Sequence, residues 1–292
     1  MRYWRLNTGH WRLTTGQALQ GAFSEHLQLL ERAGELVAPS SPYQLSFALV
    51  RTAAQLATCS ALIIPGGEST TMALVAERSG LLEPLREFVK VARRPTWGTC
   101  AGMILLAESA NRTKHGGQEL IGGLDVRISR NHFGRQAESF TVPLHLPFLR
   151  RDGGADRDGP EAPFLAVFIR APVVEALLPK THPRGGGEQV HAPAKLPAGE
   201  VERLFAGGGR VHVLAQLLRR GSLPRTEAAA EVDGERLCGG AGCDAPVVAV
   251  RQGNVVGTSF HPELTGDVRM HRWWLERVVE DLQRRELLGG QL

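Results

Sequence analysis

Three short stretches of this chain carry residues that could do nucleophilic chemistry. One is a cysteine in a turn of small residues, Gly98-Thr99-Cys100-Ala101-Gly102, and another, far downstream, is His261-Pro262-Glu263. A thiol, an imidazole and a carboxylate are the parts of a nucleophile, a base that takes its proton, and an acid that fixes the tautomer of the base and raises its basicity. The third stretch is Pro65-Gly66-Gly67-Glu68-Ser69-Thr70-Thr71-Met72. Backbone amides of Gly66 and Gly67, with that of Ala101 after the cysteine, could face an oxyanion as it develops. Taken together these parts fit attack on an acyl carbon. Each alone has a plainer reading: a buried structural thiol, a loop, an ordinary strand-to-helix turn. Their joint occurrence, each in the local context it needs, favours catalysis.

The elements that must position these residues can be read from patterning. Arg93 to Trp97 reads as a polar approach to a short strand and Met103 to Ala107 as a buried helix, so Cys100 falls where a strand turns into a helix. Side chains at Gly98 or Gly102 would collide with backbone there, and the positive end of the helix favours a thiolate. Val247 to Val250 and Val255 to Phe260 flank Arg251-Gln252-Gly253-Asn254, a hairpin signal. In an extended backbone after it, His261 and Glu263 would point to the same side. Leu62 to Ile64 is an apolar strand running into the glycine pair, and Ser69 or Thr70 caps a helix that continues through Glu77.

Elsewhere the pattern predicts a helix over Ala22 to Ala33 stopped by Gly34, a strand at Leu36 to Ala38, and a helix over Leu81 to Val91. Strands follow at Leu120 to Ile128, Phe140 to Leu144, Phe164 to Ile169 and Val211 to Leu214, and a closing helix runs from Trp273 to Leu282. This alternation predicts an α/β fold of three layers, a mostly parallel sheet flanked by helices.

Composition excludes several function classes. The net charge of +4 comes with scarce lysine and no basic stripe interleaved with aromatics, so nucleic acid is not an expected partner. No apolar run approaches the roughly 20 residues of a membrane helix, and a cytoplasmic enzyme is expected. Cys59, ahead of the apolar strand, reads as core. Cys238 and Cys243 bracket a glycine-rich stretch without further ligands at suitable spacing, so no metal site is expected there, and no cofactor is expected of the chain. Residues 1–17 form an atypical amino-terminal segment, because Arg12 to Gln17 is polar where folds of this type bury a first strand. Arg2, Arg5 and Arg12 precede any acid, yet there is no apolar core for secretion. Residues 18–285 read as a single domain. Insertions at 150–162, 180–209 and 219–245, rich in Gly with Asp, Arg, Pro or Ala, are expected as surface loops, since such composition cannot bury enough apolar area to offset chain entropy.

Five separated motifs occur in a recognisable order: P-G-G-E-S-T-T-M, G-T-C-A-G, S-R-N-H-F-G-R-Q at Ser129 to Gln136, V-F-I-R-A-P at Val167 to Pro172 and S-F-H-P-E-L-T at Ser259 to Thr265. With A-L-Q-G-A-F-S-E-H at Ala18 to His26, they resemble the glutaminase subunit of pyridoxal 5′-phosphate synthase, of the class I glutamine amidotransferase-like family. The resemblance spans most of Ala18 to Leu282. It implies that Cys100 attacks the side-chain amide carbon of L-glutamine, that His261 is base and then proton donor, and that Glu263 orients it. Gly67, Glu68 and Ser69 would hold the substrate, Arg130 would contact its polar groups, and Ile169 with Arg170 would close the pocket. A guanidinium and a carboxylate suit the carboxylate and ammonium of a free amino acid. The resemblance further implies that ammonia passes to a barrel-shaped synthase subunit that builds the cofactor. Two other classes stay open: another triad-type amidotransferase or cysteine hydrolase, and a non-catalytic subunit that keeps the fold.

Overall fold

The computed structural model describes residues 15–17, 22–111, 118–130, 139–149, 162–178, 189–194, 209–217 and 245–289. In chain order the elements begin with β1 (Thr15–Gln17), α1 (Phe23–Val37), β2 (Leu49–Val50), α2 (Ala53–Ala57), β3 (Leu62–Ile64) and α3 (Ser69–Arg78). Next come α4 (Leu82–Arg86), prolonged by a π-helical turn over Glu87–Val91, then β4 (Thr96–Thr99), α5 (Ala101–Leu106), β5 (Ala107–Asn111) and β6 (Leu124–Ser129). The chain continues with β7 (Ser139–Leu144), β8 (Phe164–Ile169), β9 (Val173–Leu177), β10 (Gln189–His191) and β11 (His212–Gln216). It closes with β12 (Val247–Gln252), β13 (Val255–Thr258) and α6 (Arg269–Gly289). Among the described residues no helix is long and apolar enough to cross a membrane.

The main sheet runs β10-β5-β6-β9-β12-β13-β4-β3, with β11 also paired to β12. Its functional end is parallel: β13, β4 and β3 lie side by side in one direction, Thr258 beside Thr99 and Ile64 beside Gly98. Antiparallel pairings of β12 with β9 and β13, and of β9 with β6, lead to the far end. Strand residues alternate faces, and so Leu62 and Ile64 join one apolar cluster while Ile63 joins the other. The first cluster packs the sheet under α3, α4 and α5 through Met72, Leu85, Val89 and Ile104. The second packs it under α1 and α6 through Leu30, Val37, Trp274 and Leu282, where Trp97 and Trp274 are buried. Helices thus cover both faces, the three-layer α/β arrangement that the alternation predicts. A separate hairpin of β7 and β8 rests on the second cluster through Phe164, Phe168 and Phe260.

Several expectations at element level are corrected. Helix α1 runs through Gly34 to Val37 instead of stopping, so Leu36 and Val37 are helical and no strand forms there. A Cβ on Gly34 would lie 2.9 Å from the Phe47 ring, so glycine serves here as a seat for an aromatic. The helix that follows the glycine pair is capped by Glu68, whose carboxylate accepts from the amides of Thr70 and Thr71, and not by Ser69 or Thr70. The polar stretch near the amino terminus does form a strand: β1 pairs in parallel with β2. The stretches 150–162, 180–209 and 219–245, as well as Cys238 and Cys243, lie mostly or wholly outside the described residues. Within the second of them Gln189–His191 is not loop but an edge strand, antiparallel to Ser109–Asn111.

Candidate functional site

The site lies where the three parallel strands end. Beyond β3 the chain reaches Gly66, beyond β4 it reaches Cys100, and beyond β13 it reaches His261. Because these strands are neighbours in register, their carboxyl ends bring residues 66, 100 and 261 to one edge, the usual location of sites in parallel sheets.

Cys100 occupies a forced turn. Its backbone has φ +48° and ψ −104°, a region that residues with a Cβ rarely adopt. Such strain costs on the order of 1–3 kcal/mol and persists only where neighbours over-determine it. They do so here. A Cβ on Gly98 would lie 2.5 Å from the carbonyl of Gly102, and a Cβ on Gly102 would lie 1.9 Å from the carbonyl oxygen of Ile64. The predicted collisions are therefore real, and two glycines let α5 press onto β3 and β4. The Cys100 amide donates to the Thr258 carbonyl at 2.7 Å, tying the turn to β13. Its Sγ, largely buried, lies 3.9 Å from the carbonyl oxygen of Ile169.

His261 and Glu263 meet by a different route from the extended backbone expected of them. Pro262–Leu264 is a 3₁₀ turn, and within it His261 Nδ1 donates to Glu263 Oε1 at 2.8 Å. With Nδ1 so engaged, Nε2 is the nitrogen left for the thiol. Burial pulls the His261 pKa down, but its hydrogen bonds and charge interactions with Cys100 and Glu263 outweigh that and lift it to about 10. Burial likewise pushes the Glu263 carboxyl up, and the facing His26 together with the hydrogen bond from His261 holds it below the ordinary carboxylate range. The His261 amide donates to the Val167 carbonyl at 2.8 Å, which fastens this turn to β8.

Gly66 completes the contact. A Cβ there would lie 2.3 Å from His261 Cε1 and 3.4 Å from Cys100 Cβ, so its Cα face is packed directly beneath the imidazole. Gly67 and Glu68 are exposed and Ser69 is buried, with its hydroxyl donating to Gln118 Oε1 at 3.0 Å. Ala101 is buried at the start of α5. Arg130, at the end of β6, is also buried. Burial lowers its pKa to about 10, partly offset by the charge of Glu68. Ile169 and Arg170 close β8 beside the thiol, and Arg170 has φ +44°. The structure thus brings Gly66, Cys100, Ile169, His261 and Glu263 together, while the Glu68 side chain is occupied as a helix cap.

Two groups escaped sequence reasoning. Gln118 accepts from both Ser69 and Thr70 and is buried behind the glycine loop. His26 lies on the buried stripe of α1, in line with Leu30, Ala33 and Val37. A histidine in an otherwise apolar stripe was the available signal.

Comparison with known proteins places this chain in a family. A model of the SNO glutamine amidotransferase family matches residues 17–187 and 224–280, and the chain belongs to that family. Among curated relatives, it is 40% identical over 263 residues to a probable pyridoxal 5′-phosphate synthase subunit PDX2 of Arabidopsis thaliana, covering 90% of this chain and 84% of that one. It is 38% identical over 267 residues to the pyridoxal 5′-phosphate synthase subunit PdxT of a Nocardioides strain, covering 90% and 94%. A PdxT subunit of Streptomyces griseus is 38% identical over 261 residues, covering 89% and 93%. Among solved structures, a glutamine amidotransferase crystal structure superposes with a TM-score of 0.57 at 31% identity, covering 92% of this chain and 99% of that one.

Proposed function

We propose that this chain is the glutaminase subunit of a pyridoxal 5′-phosphate synthase, hydrolysing L-glutamine to L-glutamate and ammonia and delivering the ammonia to a synthase subunit. The observation that carries the reading is the hydrogen-bonded His261–Glu263 pair set against a cysteine held in a left-handed strand-to-helix turn. The names of the relatives supply the pathway and the partner.

In this reading His261 Nε2 takes the proton of Cys100, and Sγ attacks the side-chain amide carbon of glutamine. The carbonyl becomes a tetrahedral oxyanion, faced by amides of Gly66, Gly67 and Ala101. Collapse expels ammonia with the proton carried by His261, leaving a γ-glutamyl thioester on Cys100. Water, deprotonated by the same imidazole, then releases glutamate and restores the thiol. Glu263 keeps Nδ1 protonated throughout, so that Nε2 is always the nitrogen that exchanges protons. Arg130 and Arg170 bind the charged α-amino acid end, Ile169 flanks the thiol, and Gly67 and Ser69 line the opposite wall.

The test is ammonia release from glutamine by the full chain, alone and with a pyridoxal 5′-phosphate synthase subunit. Release stimulated by the partner is the expected result. Full turnover without the partner would instead favour another amidotransferase, and no release in either case a non-catalytic subunit.

A further inference from the structure

Two buried histidines take no part in the proposed mechanism. His26 on α1 and His271 on α6 are both fully buried. They form a line that starts at the site: His26 Nε2 is 3.3 Å from Glu263 Oε2, and His26 Nδ1 is 2.9 Å from His271 Nε2. His26 Nε2 is also 3.2 Å from the Thr99 hydroxyl, one residue before Cys100, and the Trp97 ring closes the side of the pair. We propose that His26, backed by His271, is a positioning residue that holds the far oxygen of Glu263 and thereby sets the orientation and basicity of His261.

Oε1 of Glu263 accepts from His261, whereas Oε2 is buried without a well-aligned hydrogen bond and has the His26 nitrogen as its near polar neighbour. If His26 carried its proton on Nδ1, a bare nitrogen lone pair would face a carboxylate oxygen. The proton donated to His271 would also force the His271 proton onto Nδ1, which has no partner among the described residues. A buried orphan N–H and two facing lone pairs are both costly. The reverse tautomers avoid both faults. His271 Nε2–H donates to His26 Nδ1, and His26 Nε2–H lies between Thr99 Oγ1 and Glu263 Oε2. All that then lacks a partner on His271 is an imine lone pair.

The groups facing His26 are Glu263 and His261 from the 3₁₀ turn, His271 from α6 and the neutral Thr99 from β4. Burial drives the His26 pKa down to about 3, against the pull of Glu263 and with help from His271 and His261, and burial does the same to His271. Both rings are therefore neutral at pH 7. His26 acts on Glu263 as an N–H dipole, adding no charge that would compete with the imidazolium of His261. Such supporting contacts fix the ring or carboxylate they touch; behind the ligands of metal sites, where the same contact recurs, their loss costs about 10–100-fold in affinity or activity.

The test compares wild type, His26→Leu and His26→Gln, whose amide nitrogen can replace Nε2. Two measurements are made: glutamine hydrolysis with the synthase subunit present, and ¹⁵N-histidine NMR titration of the full chain alone. The activity arm rests on the glutaminase reading; the NMR arm stands without it. In His26→Leu, kcat is expected to fall about 10–100-fold with KM within about two-fold. The His261 titration midpoint should drop by about one unit as its carboxylate partner loosens. His26→Gln should recover most of both. A folded His26→Leu protein with an unmoved His261 titration would overturn the proposal whether or not activity fell, because a merely structural role leaves that midpoint alone. The wild-type spectrum decides even if the variants fail to fold. Neutral Nε2–H rings for His26 and His271 are expected, and an Nδ1–H tautomer or an imidazolium at His26 at pH 7 would contradict the account.

Discussion

At the scale of single residues, the proposed mechanism makes the reactivity of Cys100 depend on an imidazole whose orientation is fixed by one hydrogen bond. Replacing Cys100 by Ser should lower glutamine turnover by at least about 10³-fold, since a hydroxyl is a far weaker nucleophile at its ordinary pKa and the site is built around sulfur. Glu263→Gln keeps the shape but presents an amide to His261 Nδ1. If that amide offers its N–H, Nδ1 must be bare, which puts the proton on the nitrogen that should accept from the thiol. A fall in kcat of about 10²–10⁴-fold with little change in KM is expected, measured by steady-state ammonia release. Equal kcat in Glu263→Gln and wild type would show that the hydrogen bond at 2.8 Å does not govern the base.

At the scale of elements, the crossing of β4 into α5 is held by backbone contact. A Cβ on Gly102 would have to displace the Ile64 carbonyl, 1.9 Å away, and no side chain rotation can relieve that. Gly102→Ala should therefore cost on the order of 3 kcal/mol or more. The melting temperature should drop by about 5–10 °C, and a drop below about 2 °C would contradict the close packing of α5 on β3. These elements were legible in the sequence because their signals are local: two glycines around one cysteine, and Gly253-Asn254 between two valine-rich runs. Other elements were not, because distant residues decide them. Gly34 reads as a helix stop until Phe47, thirteen residues on, is seen seated against it. Leu36 and Val37 are too short a run for periodicity to assign; Val37 is buried in the apolar cluster that α6 shares, while Leu36 faces solvent at the end of the same helix. Glu68 was passed over as a cap because Ser69 and Thr70 stand beside it with more usual capping side chains. Cys100, His261 and Glu263 were legible as candidates by residue type, but the reason His261 and Glu263 meet was misjudged: a 3₁₀ turn, not a strand, joins them. His26 gave only a faint signal, since its partners Thr99, Glu263 and His271 are far away in sequence.

At the scale of the whole molecule, the buried titratable line crosses from α1 to α6 beneath the sheet end and makes stability depend on pH in both directions. His26 and His271 sit at about 3 in the fold against an ordinary 6.5, so between those values the unfolded chain binds more protons and stability falls as pH falls. Each contributes a slope of about 1.4 kcal/mol per pH unit across that window. Glu263, held below its ordinary value, adds stability above it that is lost on further acidification. His261 runs the other way. Raised to about 10, it contributes stability that is complete below 6.5 and is lost as pH rises toward 10. Urea unfolding midpoints should therefore peak near neutral pH and decline at pH 5 and at pH 9. His26→Leu should make the acidic limb shallower, leaving the His271 part of it, and should end the basic limb about one pH unit earlier as the His261 midpoint falls. An unchanged midpoint from pH 7 to pH 5 in the wild type would mean that these rings are not buried neutral in solution.

Activation of one sulfur, Cys100, by His261 toward the side-chain carbonyl of glutamine is the step on which the proposed mechanism rests. It is tested most directly by treating the full chain, with the synthase subunit present, with a diazoketone analogue of glutamine and locating the adduct by peptide mass. One adduct per chain is expected, on Cys100, forming at least about 100-fold more slowly in His261→Asn. An adduct on Cys59 or elsewhere, or an unchanged rate in His261→Asn, would contradict it.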